Sequence, residues 1–511
     1  MLELHTPSQA AQWLRQRVTG TLQSDSRKLD SGDGFIAWPG SAVDARQFVD
    51  TVLKKGAVAC LVEREGLSDW PMQVGDHLAN YQGLKADTGA IAAEFFGMPS
   101  KALKVVAITG TNGKTSTAWW LAQALSALPG DLALPCGMVG TLGVGRPPIA
   151  GTTAALPSNI TSTGLTTPDP VLLQRSLRQF QDDGLKACAM EASSIGIEEQ
   201  RLSGTHIDVA VFTNFTQDHL DYHGSMEAYW QAKRRLFAWP GLGASVINVD
   251  DAQGEALAEA LAASGQDVWT SSCLRHARLQ ARAIAYGAQG LRFEVVEGGV
   301  ARVLQTRTIG SYNVSNLMAV IGAMRALGVP LEAAVQSCSA LHSVPGRMEC
   351  LGDTGEPLVA VDYAHTPDAL SQTLSALQPL AVQRGGRLWC VFGCGGDRDA
   401  TKRPLMGAIA AQKADHVVVT SDNPRSEKPE CVIAHILLGL PHDQAVDVQT
   451  DRALAIADAI ARAAANDVVL IAGKGHEDTQ EIAGVKHRFS DRVHAQQALQ
   501  KRRIGGTEVQ A

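Results

Sequence analysis

The chain has 511 residues, of which 45% are hydrophobic and 19% charged, the proportions of a folded globular protein rather than a disordered one. Its 45 Lys and Arg face 52 Asp and Glu, and the resulting net charge of −7 argues against nucleic acid as the main partner. No apolar run reaches the roughly 18 residues that a spanning helix needs, so no membrane insertion is expected.

The start, Met1-Leu2-Glu3-Leu4-His5, lacks a basic segment followed by an apolar one, so no signal peptide is expected. Nine scattered cysteines without a Cys-x-x-Cys pair read as reduced thiols in cytosol. At roughly 150 residues per domain, the length suggests about three domains. Residues 1–98 form a small α/β unit: a strand at Gly34-Phe35-Ile36-Ala37-Trp38, a helix from Ala45 to Lys55, and a strand over residues 57–62. The pattern breaks near Met98-Pro99-Ser100. From 99 to 344, strands alternating with helices predict a parallel sheet with crossover helices, and 251–310 is the least periodic stretch. Pro345-Gly346 marks a second boundary. Residues 345–511 repeat a strand followed by a polar loop three times, and the end of the chain reads as a helix fraying into disorder. The expected fold class is therefore α/β in three domains, with a central P-loop-type sheet and a Rossmann-like C-terminal domain.

After the strand at 103–108 comes Thr109-Gly110-Thr111-Asn112-Gly113-Lys114-Thr115-Ser116, then an apolar helix from Thr117 to Leu128. Small residues let backbone N–H groups close on phosphate oxygens, and the helix adds its positive N-terminal end. Lys114 would reach the terminal phosphates and the Thr115 hydroxyl a Mg²⁺. Ile108 stands where the usual pattern has its first Gly. A guanine-reading Asn-Lys-x-Asp element is absent, which leaves ATP as the nucleotide.

The phosphate loop resembles that of the Mur ligases, the ATP-dependent amino-acid ligases of peptidoglycan synthesis. The resemblance continues, in the family's order, through Thr166-Thr167-Pro168, Met190-Glu191-Ala192-Ser193-Ser194, Asp218-His219-Leu220-Asp221-Tyr222-His223-Gly224, Ala232-Lys233, Asn313-Val314-Ser315-Asn316 and Pro345-Gly346-Arg347. It implies an ATP site of Gly110, Thr111, Asn112, Gly113, Lys114, Thr115, Ser116, Asn316, Arg347 and Asp362, with His365 nearby. It also implies a Mg²⁺ site of Thr115, Glu191, His219 and Lys233, the lysine as a carbamate. Lys114, Glu191, His219 and Lys233 are the expected catalytic set. Taken alone, Lys233 reads as a solvated helix lysine beside Arg234 and Arg235. Carbamylation requires a neutral amine, which nearby cations would favour. Asn313 and Asn316 have a second reading, as caps of a helix beginning near Leu317.

For substrate, the resemblance implies UDP-N-acetylmuramoyl-L-alanyl-D-glutamate, held by Ser24, Ser26, Thr166, Thr167, Ser193 and Arg201, with Ser41-Ala42-Val43 on the diphosphate side. Ile195 and Glu199 depart from the family pattern, and Glu199 is excluded from the site because a carboxylate should repel an anionic substrate. Asp422-Asn423-Pro424-Arg425 resembles the signature of relatives that add meso-diaminopimelate; Arg398, Gly473 and Glu477 complete that set. A planar guanidinium suits the second carboxylate that distinguishes diaminopimelate from lysine. The expected activity is ATP-dependent amide formation through an acyl phosphate by a cytoplasmic monomer. The alternatives are a lysine-adding relative, a folylpolyglutamate synthetase-like ligase, and a P-loop ATP-binding switch without ligase chemistry.

Overall fold

A computed structural model describes residues 1–40, 43–70, 75–149, 159–287, 290–341, 343–353, 355–441 and 446–508. Ser41 and Ala42, expected beside a diphosphate, lie outside the described residues, as do 509–511; of the tail expected to fray after Arg492, the described part is a helix, Asp491–Glu508. Three large sheets follow one another along the chain, and a two-stranded antiparallel one, Thr479–Ile482 with Val485–Arg488, comes after them. The first is parallel, in the order Leu2–Leu4, Leu78–Tyr81, Ala59–Glu63, Gly34–Ala37, Leu22–Gln23. The helix expected over 45–55 is split into a 3₁₀ turn, Ala45–Phe48, and a helix, Val49–Lys54.

The second sheet has ten strands, parallel through its centre as expected and extended by antiparallel strands toward its edges. Its parallel centre runs Asp267–Ser272, Ala244–Asn248, Val209–Phe212, Lys104–Thr109, Ala187–Glu191, Cys136–Gly140. Beyond it, the stretch with weak periodicity forms an antiparallel meander, Leu279–Gly287, Gly290–Glu297 and Val300–Thr306. One face of the meander packs into the core through Leu291, Phe293, Val295 and Leu304, and the other is wet; that mixture hides strand alternation. The helix Tyr312–Ala326 starts before Asn313 and Asn316, so neither residue caps it as the second reading required.

The third sheet runs Glu349–Leu351, Leu358–Asp362, Val468–Ala472, Leu388–Phe392, His416–Val419, Asp447–Val448, parallel except for the first pair. The three strands read from the sequence are neighbours. Their register pairs Phe392 with Ala472 and with Val419, and Asp362 with Ala472. Four loops therefore leave the carboxyl edge side by side, where open α/β sheets bind ligands.

Candidate active site

The strand Lys104–Thr109 lies between Ala187–Glu191 and Val209–Phe212, whose onward loops diverge around it. The helix after the phosphate loop begins at Lys114, not Thr117, so Thr115 and Ser116 occupy its first turn with their N–H groups at the positive end. Gly113 is required: its φ is +84°, and a Cβ there would sit 2.2 Å from Asn316 Oδ1. Asn316 in turn donates from Nδ2 to Asn313 Oδ1 at 2.9 Å, a bond within the helix Tyr312–Ala326 that fixes its amide against the loop.

Lys114 folds back on its own loop and donates from Nζ to the carbonyls of Gly110 and Thr111 at 3.0 and 2.8 Å. The Thr111 hydroxyl donates to Thr216 O, and the Asn112 backbone N–H to Asn214 Oδ1. Asn112 Nδ2 reaches Asp368 Oδ2 at 3.1 Å, so the loop is also gripped from the C-terminal segment.

Glu191, the last residue of its strand, is fully buried. Its Oε2 accepts from the Thr115 hydroxyl at 3.0 Å and from Thr141 Oγ1 at 3.2 Å, while Oε1 accepts from the Thr141 backbone N–H at 2.7 Å. Arg347 Nη2 donates to Thr115 Oγ1 at 3.2 Å, and its guanidinium lies 4.3 Å from the Tyr363 ring centroid. Asp362 is buried; it accepts from the Met348 N–H at 2.7 Å, and burial pushes its carboxyl above the usual range against the pull of Arg347. His365 donates from Nδ1 to Tyr363 O, 2.8 Å away, and burial pushes it down to about 4.

Lys233 corrects the solvated-lysine reading. It is 1% exposed, donates from Nζ to Gly110 O at 2.7 Å, and lies 4.3 Å from the Tyr229 ring centroid. Burial, aided by Lys114, pushes its amine well below the ordinary lysine value. The neighbouring arginines have no part in this: Arg234 is exposed and Arg235 pairs with Glu198 at 2.8 Å. His219 sits in left-handed conformation at φ +53° with Nε2 3.5 Å from Asp218, and burial lowers its pKa.

Among the described residues no three His, Cys, Asp or Glu side chains gather as a self-sufficient metal cage. Mg²⁺ takes one or two protein oxygens together with substrate phosphates and water. The buried Glu191 carboxylate and the Thr115 hydroxyl are such donors, placed beside the phosphate loop.

The positions expected to hold the UDP-linked substrate form a chain of hydroxyls. Thr166 meets Thr141 at 3.0 Å, and Thr167 Oγ1 donates to Glu191 O at 2.9 Å and meets Ser193 Oγ at 3.0 Å. Arg201 Nη1 donates to Thr167 O at 3.0 Å. Ser24 donates to Asp169 Oδ1 at 2.8 Å, tying the first sheet to this segment, while Ser26 offers its carbonyl to Lys55 Nζ. Glu199 points to none of these groups. It pairs with Lys85 at 2.6 Å and accepts from Tyr222 OH at 2.6 Å, and these partners, Lys85 foremost, hold its carboxyl below the usual range.

At the edge of the third sheet, Arg425 is left-handed at φ +52°. Its backbone N–H donates to Glu481 O at 3.0 Å, its carbonyl accepts from Ala483 N–H at 2.7 Å, and Nη1 donates to Gly396 O at 2.7 Å. Asn423 Nδ2 donates to Glu477 Oε2 at 2.7 Å. Asp422 is buried against Gly473, whose φ of +116° and 2.4 Å Cβ approach to Asp422 Oδ2 admit only glycine. Pro424 carries the chain on to Arg425 and accepts from the Glu427 N–H. Arg398 is exposed, with Nη1 3.2 Å from Asp397 O.

Two residues escaped sequence reasoning. Thr141 follows a short strand, and its Gly-Thr-Leu context carries no motif. Lys474 lies in one of the polar loops, yet it is fully buried, donating to Asn423 Oδ1 at 3.0 Å and to Glu477 Oε2 at 2.7 Å.

The chain matches the Mur ligase middle domain over residues 108–324 and the Mur ligase glutamate ligase domain over 346–475. It is 60% identical over 503 residues to the UDP-N-acetylmuramoyl-L-alanyl-D-glutamate–2,6-diaminopimelate ligase of Acidovorax sp. (strain JS42), covering 98% of each chain. It is 46% identical to the ligase of the same name from Janthinobacterium sp. (strain Marseille), covering 95% of each. A solved structure of a ligase with that name is 35% identical and superposes with a TM-score of 0.63 over 94% of this chain and 95% of the other.

Proposed function

The chain belongs to the Mur ligase family, and from that premise we propose that it joins meso-diaminopimelate to UDP-N-acetylmuramoyl-L-alanyl-D-glutamate at the expense of ATP, in peptidoglycan synthesis. One observation carries the reading. The segment that bears the Arg425 loop also touches the phosphate loop, through Arg347 at Thr115 and Asp368 at Asn112. An acceptor amine and a phosphorylated carboxylate can thus meet between the second and third sheets.

The γ-phosphoryl group of ATP passes to an oxygen of the D-glutamyl γ-carboxylate, leaving ADP and an acyl phosphate. The acceptor amine then attacks the carbonyl carbon. The tetrahedral intermediate breaks its bond to the phosphate oxygen, and phosphate leaves as the amide forms and the amine nitrogen loses its proton. Lys114 turns from its own carbonyls to the phosphates, and Arg347 supports charge developing on them. Gly110, Thr111, Asn112, Gly113, Thr115 and Ser116 cradle the triphosphate, with Asn316 and Asp362 beside it. Glu191, Thr115, His219 and a carbamylated Lys233 would hold Mg²⁺, which when bound offsets charge on the phosphoryl oxygens. The lowered amine of Lys233 supports the carbamate, since only a neutral amine adds CO₂.

Thr166, Thr167, Ser193 and Arg201 hold the muramoyl-dipeptide, and Ser24 and Ser26 its nucleotide. Arg398, Asp422, Asn423, Pro424, Arg425, Gly473 and Glu477 hold diaminopimelate, with Arg425 on its distal carboxylate. The units 1–98, 99–344 and 345–511 close on one another and exclude water from the acyl phosphate. It works as a monomer in the cytoplasm; nine free cysteines, six of them buried, suit that reducing compartment. Incubation with ATP, the UDP-linked dipeptide and either meso-diaminopimelate or L-lysine, with mass detection of product, tests the reading. Ligation of lysine alone, or ATP binding without ligation, overturns it.

A further inference from the structure

Two loops that carry the proposed acceptor site, 421–425 and 473–477, leave the same sheet edge after His416–Val419 and Val468–Ala472, two strands separated by Leu388–Phe392. Side chains link them, Asn423 to Glu477 and Lys474 to Asn423, and each loop must keep its distance from the other for these bonds to form. Behind them lies an ion pair that the reaction scheme does not use. Arg452, the first residue of the helix Arg452–Arg462, and Asp491, the first residue of the helix Asp491–Glu508, are both fully buried. Arg452 Nε and Nη2 donate to the two oxygens of Asp491 at 2.7 and 2.8 Å, a bidentate fork.

The same guanidinium has two further partners. Nη2 donates to Ala472 O at 2.9 Å and Nη1 to Ser421 O at 3.3 Å. Ala472 precedes Gly473, and Ser421 precedes Asp422. One rigid planar cation therefore joins the roots of both loops, while Asp491 fixes its plane. A purely structural pair of this depth is expendable, because a well-packed apolar pair of similar volume often replaces it without loss of stability. Its two carbonyl contacts are not so easily replaced.

We propose that Arg452, oriented by Asp491, is a positioning residue for the acceptor amino acid: it sets the spacing between the Asp422–Arg425 loop and the Gly473–Glu477 loop. The proposal rests on the assignment of those loops to the acceptor under the proposed function. A loop displaced by a fraction of an ångström misaligns the ammonium and carboxylate contacts together, and misplacement on that scale is costly.

The test uses the full chain. The double variant Arg452→Met/Asp491→Leu removes both charges and fills the space; Arg452→Lys keeps a cation for Asp491 but cannot serve Asp491 and both carbonyls at once. Melting temperature and circular dichroism report folding, and steady-state kinetics report KM for meso-diaminopimelate and for ATP. Arg425→Ala is measured alongside. In whichever of the two is folded, KM for diaminopimelate should rise on the order of tenfold, with KM for ATP within about twofold of the parent. An unchanged diaminopimelate KM in a folded variant, while Arg425→Ala raises it, overturns the proposal and leaves the acceptor site standing. Equal rises in both KM values also overturn it, as the mark of a merely structural pair. If Arg425→Ala itself leaves the acceptor KM unmoved, it is the assignment of the loops that fails, and the proposal falls with it.

Discussion

Replacing Arg425 with alanine removes a guanidinium and little else. The backbone there is pinned by hydrogen bonds to Glu481 and Ala483, and its left-handed φ of +52° strains alanine and arginine alike. The fold should therefore survive. One donor, Nη1, is committed to Gly396 O, and the rest of the fork is oriented beside the loop that carries Arg398. A carboxylate taken by that fork loses a charged partner in the variant, which costs about 2–5 kcal/mol, or roughly 30-fold to several thousand-fold in affinity. KM for meso-diaminopimelate should rise by that factor while KM for ATP stays nearly constant. L-Lysine, which lacks the distal carboxylate, should be a poor acceptor for the parent and lose far less on mutation. Arg425→Lys should recover part of the loss, since an ammonium can keep one bond to Gly396 but cannot offer two parallel ones. The assay is kcat/KM for both amino acids with the parent and both variants. Equal losses for diaminopimelate and lysine would refute a role in reading the distal carboxylate.

Lys114→Ala should abolish ligation with the melting temperature little changed, because its partners in the structure are carbonyls of its own loop; near-parental turnover would remove it from the phosphate site. Lys233→Ala should be almost inactive and regain some activity with added short-chain carboxylates, which can stand in for a carbamate; full activity without them would remove the residue from the catalytic set. Part of the pH dependence of stability comes from His365 and His476, which burial pushes down to about 4 and about 3. Their unfolded forms bind protons already near pH 6.5, so the unfolded state holds more protons below that value and stability falls as pH drops from 6.5 toward 4. The slope reaches at most about 1.4 kcal/mol per pH unit for each histidine. Denaturant midpoints between pH 7.5 and 4.5 measure it, and the variant His365→Gln/His476→Gln should show a shallower slope; an identical slope would refute the assignment.

Much of the site is written in local sequence. A strand, a glycine loop and a Lys-Thr pair announce phosphate binding because each part acts on its neighbours within a few residues. The strands ending at Phe392, Val419 and Ala472 were legible as continuous apolar runs, since strands buried on both faces need no alternation. Asp422-Asn423-Pro424-Arg425 was legible as a charged loop after one of them. The meander over 279–306 was not, because one of its faces is wet and its period is mixed.

Only the tertiary structure decided what contacts across the sequence achieve. Lys233 looks solvated in its helix, and burial against Gly110 and Tyr229, 123 residues away in the case of Gly110, is what depresses its amine. Glu199 looks repulsive to an anionic substrate until Lys85 and Tyr222 are seen to engage it. Arg347 reaches Thr115 across 232 positions, and Arg452 joins two loop roots it precedes or follows by tens of residues. Sequence specifies the donors and acceptors and the period of each element. Burial and the pairing of charges depend on which elements pack together, and that is settled by the summed packing of three sheets rather than by any local run of residues.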